Sequence, residues 1–144
     1  TPKIKSEAIK PDSAPVETVK EAAADSTIVL SWPAKGKVVE EFSEKNKGID
    51  IAGKLGEPIL AASDGKVVYA GNSLRGYGEL VIVKHDNTYL TAYAHNRILS
   101  VKEGQMVKKG QKIAEMGDTD SNSIKLHFEL RMNGKPVNPM PYLQ

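Results

Sequence analysis

Glycines punctuate the chain from Trp32 onward, and their spacing restricts the fold more than any other feature of the sequence. The intervals between them hold short runs rich in β-branched residues, in which apolar and polar side chains alternate. Such runs, bounded by Gly, Asn and Asp, are typical of antiparallel β-strands. The sequence therefore predicts an all-β, sandwich-like domain with antiparallel sheets over residues 29–144, without a long amphipathic helix.

Eight of these runs are predicted to be strands: Lys37 to Phe42, Ile49 to Ala52, Glu57 to Ala61, Gly65 to Ala70, Leu80 to His85, Tyr89 to His95, Gln111 to Met116 and Ile124 to Met132. Turns are predicted at Asp64-Gly65, Asp86-Asn87 and Asn133-Gly134, because these residues tolerate the positive φ of tight turns. From Glu103 to Ile113 a Gly recurs every six residues, which predicts tight turns between short strands.

The first 28 residues have a different composition, rich in Lys, Glu, Ala, Ser and Pro and poor in large apolar side chains. A segment of this kind buries too little apolar surface to offset the entropy lost on ordering. We expect a flexible linker, in which Val16 to Asp25 could form a short helix.

Composition excludes several functional classes. The net charge is +2 and the basic residues are scattered, so no nucleic-acid partner is expected. The chain has no cysteine, which excludes disulfides and a thiol nucleophile. No apolar stretch approaches the ~20 residues of a membrane span.

Residues that could bind a metal occur in three short segments, at Asp50, at His95 and at His127. On a strand, Lys125, His127 and Arg131 share one face, and the intervening apolar residues share the other. A His-x-His pair at this place would be a pair of ligands, but the chain has Lys-x-His. A catalytic zinc takes about three protein ligands and a water molecule, of which Asp50 and His127 could supply two.

Seven segments in fixed order resemble the LytM domain, the lysostaphin-like zinc metallopeptidase fold, and they extend over nearly the whole globular part. They are Gly48-Ile49-Asp50-Ile51-Ala52, residues 62–71, Gly76-Tyr77-Gly78, Tyr93-Ala94-His95, residues 110–117, Leu126-His127-Phe128-Glu129 and Val137-Asn138-Pro139.

The resemblance also identifies two departures from the pattern of active members. That pattern has His-x-x-x-Asp for two zinc ligands, a catalytic His in the Tyr-x-His segment, and His-x-His for a catalytic His followed by the third ligand. Asp50, His95 and His127 match, whereas Asn46 replaces the first ligand and Lys125 replaces a catalytic histidine. An amide is a weak ligand and an ammonium group cannot accept a proton. The resemblance therefore implies a vestigial site without metal or catalysis, and no cofactor is expected.

Within this family the chain is most similar to the NlpD-like group of degenerate LytM domains. This resemblance implies a non-catalytic activator of a cell-wall N-acetylmuramoyl-L-alanine amidase that promotes peptidoglycan cleavage during daughter-cell separation. It also implies a periplasmic location, and a full-length protein with an upstream lipid anchor and a peptidoglycan-binding module. The domain is expected to be a monomer, with the amidase and peptidoglycan as its partners.

The expected partner surface is the groove that the lost active site leaves. Its predicted contact residues are Tyr77, Tyr93, His95, Lys125, His127 and Arg131, together with Lys47 beside the Asn46 segment. Tyr and Arg are enriched among interface anchors. With Lys125 and Arg131 on one strand face, the groove is predicted to be cationic.

Three alternative functions remain open on the sequence alone. The chain could be an active zinc endopeptidase that cuts peptidoglycan cross-links, or a peptidoglycan-binding module without turnover. A carrier module is the third, because Glu103 to Met116 superficially resembles the Gly-punctuated repeat of biotinyl and lipoyl domains.

Overall fold

The computed structural model describes residues 28–144. It contains ten strands: β1 (Val38–Glu40), β2 (Ile49–Ala52), β3 (Pro58–Leu60), β4 (Gly65–Gly71), β5 (Glu79–Lys84), β6 (Tyr89–Leu99), β7 (Met106–Val107), β8 (Lys112–Met116), β9 (Lys125–Met132) and β10 (Lys135–Val137). A single turn of 3₁₀-helix, Met140–Tyr142, follows. No helix in this part of the chain is long and apolar enough to cross a membrane.

All strand pairs are antiparallel, and they join into one ten-stranded network in the order β1-β2-β9-β6-β5-β4-β7. Strand β10 adds to β9, and β3 reaches β6 through β8. The long strand β6 connects the two groups, because its first half pairs with β9 and its last residues pair with β8. The predicted all-β, antiparallel fold is confirmed.

The hydrophobic core lies against one face of the central strands. Along β9, Leu126, Phe128 and Leu130 are fully buried in it. Tyr93 of β6 packs beside Phe128, with ring centroids 5.4 Å apart. The alternate residues of β9 therefore lie on the opposite face, and that face carries the candidate site.

The eight predicted strands all form, with ends that differ by a few residues. The largest difference is β6, which extends beyond His95 to Leu99. Two strands were missed, β7 and β10, because two or three residues are too few to show an alternating pattern. Gly104 and Gly110 have φ values of +90° and +84° and form the predicted turns before β7 and β8. The predicted linker lies outside the described residues except for Ile28, which packs against the core.

A β-bulge interrupts the alternation of β6 just before the candidate site. Glu79 pairs with Asn96 and Val81 pairs with Tyr93, so β6 contains one more residue than β5 over the same interval. His95 has a φ of +68°, in the left-handed region that non-glycine residues rarely adopt. The bulge brings His95 to the face opposite the core, although Tyr93 faces the core.

Candidate functional site

The site is built on β9, where the alternate residues Lys125, His127, Glu129 and Arg131 share the face opposite the core. The neighbouring strand β2 is held in a register that places Asp50 directly opposite His127. A pleated sheet projects such cross-strand pairs to the same side. The pairing therefore brings together two residues that are 77 positions apart in the sequence.

These side chains form a continuous row of ion pairs, which we call the charge ladder (Lys125, Asp50, His127, Glu129 and Arg131). Lys125 Nζ lies 2.8 Å from Asp50 Oδ2, and His127 Nδ1 lies 2.6 Å from Asp50 Oδ1. On the other side, His127 Nε2 lies 2.8 Å from Glu129 Oε2, and Arg131 contacts Glu129 Oε1 at 2.6 Å. Each carboxylate thus joins two cations.

The geometry requires a doubly protonated His127. A neutral imidazole has one N–H, whereas here both ring nitrogens contact carboxylate oxygens, which accept hydrogen bonds. Burial opposes protonation, but the hydrogen bonds to Asp50 and Glu129 outweigh it and raise the pKa of His127 to about 9. His127 is therefore an imidazolium at neutral pH, and neither nitrogen has a free lone pair.

The two carboxyl groups of the ladder, Asp50 and Glu129, are ionised because the same hydrogen bonds stabilise their negative charges. Burial alone would raise the pKa of Asp50, yet hydrogen bonds from His127 and Lys125 lower it to about 2. Burial would likewise raise the pKa of Glu129, yet hydrogen bonds from His127 and Arg131 lower it. Both carboxylates are almost fully buried, so their charges depend on these partners.

Asn46 lies at the end of the ladder, beside Asp50. Its side-chain amide donates to the backbone oxygen of Gly48 at 2.8 Å and lies 3.5 Å from Asp50 Oδ1. The amide group therefore presents a donor, not a lone pair, toward Asp50. Lys47, the next residue, is exposed and lines the same cleft.

His95 and Tyr77 cover the ladder from β6 and from the loop before β5. The rings of His95 and His127 are 6.0 Å apart, and the hydroxyl of Tyr77 donates to Glu129 Oε2 at 3.1 Å. His95 Nδ1 donates to the backbone oxygen of Thr119 at 2.8 Å, which leaves Nε2 as an acceptor. Burial lowers the pKa of His95, in keeping with this neutral form.

Tyr93 does not belong to the groove, and its assignment as a groove contact was wrong. It is fully buried in the core. Its hydroxyl accepts a hydrogen bond from the backbone N–H of Ala62 at 3.0 Å and lies 2.7 Å from Thr91 Oγ1. Tyr93 and His95 were placed on one face by strict alternation, which the bulge at His95 breaks.

The sequence reasoning also missed Glu129, which is buried in the ladder between His127 and Arg131. Its position two residues after His127 was the available signal, because alternation places both on one face. Glu129 and Asp50 compensate the charges of Arg131 and Lys125. The ladder is therefore a row of paired charges, whereas the sequence predicted a polar, cationic groove.

The ladder lines an open cleft of about 410 Å³, whose rim includes Arg75 and Lys47. A second polar cavity, of about 630 Å³, adjoins it and shares Gly76, His95 and Lys125. Of the predicted groove residues, the structure brings Tyr77, His95, Lys125 and His127 to the cleft, together with Lys47. Arg131 contacts this group through Glu129 and Tyr77.

The residues at the predicted zinc-ligand positions do not fit a zinc ion. Lys125 already occupies one oxygen of Asp50, and the other oxygen accepts from His127. His127 has no free lone pair, and Asn46 presents a donor. Within residues 28–144, no group of three or more His, Cys, Asp or Glu side chains is arranged to hold a metal ion.

Comparison with known proteins identifies the family of the chain. The model of peptidase family M23 matches residues 44–139, which include the whole ladder. The chain belongs to peptidase family M23. Among solved structures, a zinc-containing peptidase from Vibrio cholerae matches this M23 domain with a TM-score of 0.72 and 31% identity, over 76% of this chain and 38% of that chain. The LytM resemblance is thereby confirmed.

Curated relatives are more similar in sequence. A lipoprotein NlpD/LppB homologue of Pseudomonas aeruginosa is 62% identical over 116 residues, which are 78% of this chain and 39% of that protein. Murein hydrolase activator NlpD of Escherichia coli is 59% identical over 115 residues, which are 78% of this chain and 30% of that protein. This M23 domain thus belongs with the NlpD group, and it spans well under half the length of either relative.

Proposed function

We propose that this M23 domain is a non-catalytic activator of a cell-wall N-acetylmuramoyl-L-alanine amidase, which it binds through the cleft above the charge ladder. One observation carries the non-catalytic part: both nitrogens of His127 donate to carboxylates, while Lys125 holds the remaining oxygen of Asp50. Metal-assisted hydrolysis needs free ligands and a group that activates water. Asn46 and Lys125 stand where the family pattern has histidines, and neither supplies those functions.

The names of the relatives support the activating part. One relative is a murein hydrolase activator and another is a lipoprotein, which supports a location in the bacterial cell envelope. We further propose that the domain acts in the periplasm, as part of a longer outer-membrane lipoprotein, and that its partner is an amidase that cleaves peptidoglycan.

The mechanism of activation is a shift of the partner between two states. If a segment of the amidase covers its own active site, a domain that binds the open form better than the closed form increases the open population. A shift from mostly closed to mostly open requires a differential affinity on the order of 10⁴-fold. The domain contributes binding energy only, through Tyr77, His95, Lys47 and the two ends of the ladder, Lys125 and Arg131.

The cleft is suited to a protein partner because its polar groups are held in fixed positions. Tyr77 is anchored by Glu129, and His95 is anchored by Thr119, so both rings lose little freedom on binding. The preorganised arrangement offers donors from the ladder and one acceptor, Nε2 of His95.

Dye release from labelled peptidoglycan tests the proposal. Purified periplasmic amidases are assayed alone, with this M23 domain, and with variants Tyr77→Ala and Arg131→Ala; the domain is also assayed alone, and its bound metal is measured. We expect at least one amidase to be activated by the wild-type domain and less by the variants. Dye release by the domain alone, together with stoichiometric zinc, would favour the endopeptidase alternative.

A further inference from the structure

A second, apolar feature lies on the same sheet face as the charge ladder. Leu80, Ala92 and Ala94 form a small buried cluster, separate from the main core, with Ile82 and Tyr77 packed against it. The β6 members alternate with the core-facing residues of that strand and therefore face the ladder side.

The registers place this apolar strip directly beside the ladder. Leu90 pairs with Arg131, Ala92 with Glu129 and Ala94 with His127. The face is thus divided along its length: β9 contributes charged side chains, and β5 and β6 contribute apolar ones. A side chain that reaches across this boundary meets both kinds of surface.

The apolar strip forms a cavity of about 260 Å³, which we call the cup, lined by Leu74, Tyr77, Leu80, Ile82, Leu90 and Ala92. A cavity of roughly 150 Å³ suffices for a benzene molecule, so the cup has room for an apolar side chain. Glu129 and Tyr77 line both the cup and the polar cleft, so the two are adjacent. Leu74 at its rim is 44% exposed.

The charged residues around the cleft indicate which polar group a ligand for this face would carry. The carboxylates of the ladder are saturated by their cations, and the cleft is lined further by three cations, Lys45, Lys47 and Arg75, against one other carboxylate, Glu40. Within residues 28–144, none of these three lies within 4 Å of a carboxylate. A carboxylate from a partner would meet complementary charge there.

We propose that the cup receives one large apolar side chain from an acidic docking segment of the protein partner, while a carboxylate of that segment meets the basic rim of the cleft. The inference rests on the proposed function for the identity of the partner and on the cup and rim for its chemistry. An apolar anchor in a pocket, flanked by polar contacts, is the usual arrangement of an interface hot spot.

Peptide selection tests the inference without an identified partner. A random peptide library displayed on phage is selected on the wild-type M23 domain, and the enriched peptides are synthesised and their Kd values measured. We expect enriched sequences to combine a Leu, Ile, Phe or Met with a nearby Asp or Glu. Replacing the apolar residue of a peptide with Ser should weaken binding about tenfold or more, because a buried apolar side chain is lost.

Variants of the domain locate the binding site. Ala92→Leu fills the cup and Leu74→Asn makes its rim polar, and both should weaken the selected peptides to a similar degree. Ile98→Asn is the matched control, because Ile98 is also 44% exposed but lies outside the cup. Thermal unfolding of each variant identifies any loss of fold; Leu74 lies in an exposed loop, so at least one cup variant should remain folded.

The outcomes separate this inference from the proposed function. Peptides that bind Ala92→Leu and Leu74→Asn as tightly as wild type, or that lack the apolar and acidic pair, overturn the cup inference even if an amidase is activated. Peptides that require the cup support it even if no amidase responds in the dye-release assay, in which case only the activator role fails.

Discussion

Lys125 Nζ lies 2.8 Å from Oδ2 of Asp50, so the residue proposed to replace a catalytic histidine directly binds the carboxylate proposed to be a former metal ligand. The replacement therefore does more than remove a functional group. It neutralises the buried carboxylate that a metal would otherwise use, and leaves His127 to neutralise the other oxygen.

Restoring both histidines should recover metal binding. In the double variant Asn46→His/Lys125→His, two imidazoles replace a donor amide and an ammonium group beside Asp50 and His127. We expect stoichiometric zinc by elemental analysis, because the family's ligand set is then complete. Lys125→His alone is the control and should bind little zinc, since it lacks the ligand at position 46. Equal zinc content in the two variants would contradict this account.

Removing Lys125 should cost more than removing a comparable surface lysine. In Lys125→Met, buried Asp50 loses one of its two cations, and we expect a loss in unfolding free energy of about 1–3 kcal/mol. The matched control is Lys112→Met, which breaks the more exposed pair with Glu115 and should cost less than ~1 kcal/mol. Urea denaturation at pH 7 measures both. A double-mutant cycle with Asp50→Asn should show that the two residues are coupled.

Stability should fall at alkaline pH because of His127. Its pKa rises from 6.5 to about 9 on folding, so its contribution is complete below pH 6.5 and is lost as the pH rises through about 9. The shift corresponds to a loss on the order of 3 kcal/mol. Urea denaturation from pH 6 to pH 10 should show this loss for wild type and not for His127→Gln. His85 and His95 have lowered pKa values, and their contributions are lost instead as the pH falls below 6.5.

The acid side of the stability profile should depend on Asp50. Because its pKa falls from 3.8 to about 2 on folding, its contribution is present above pH 3.8 and is lost as the pH falls through about 2. The contributions of Asp50 and His127 are therefore both complete between about pH 4 and 6.5. A maximum in the difference between wild type and His127→Gln outside this window would contradict the assigned ionisation states.

Two tyrosine-to-phenylalanine variants should separate the core from the groove. Tyr93→Phe removes a hydroxyl that bonds Ala62 and Thr91 in the core, and should reduce the unfolding free energy by about 1–2 kcal/mol without changing amidase activation. Tyr77→Phe removes the contact with Glu129 and should reduce activation more than stability. Chemical denaturation and dye release are measured for both variants. If Tyr93→Phe is stable and folded but activates the amidase less than wild type, Tyr93 would have to be assigned to the groove again.

Local patterns predicted the strands well because alternation and turn residues act over a few positions. Ile49–Ala52 formed with the predicted ends, and Lys125–Met132 began one residue late. The same local rule failed at His95, since a bulge depends on how β5 and β6 pair and has no signal in β6 alone. At Glu129 alternation with His127 gives the correct face, but it does not show that the buried charge is tolerated only beside His127 and Arg131.

The sequence by itself determined the all-β fold, the order of the family's segments and the presence of Asn46 and Lys125 at positions where the LytM resemblance predicts histidines. These follow from residue type and spacing along the chain. Only the tertiary structure decided what the replacements do: it set Asp50 against His127 and Lys125, buried Tyr93 and placed the apolar cup beside the ladder. Ionisation states depend on burial and on partners from other strands. The chemistry of the site is therefore specified by the distances between residues that are remote in sequence, and not by the residues alone.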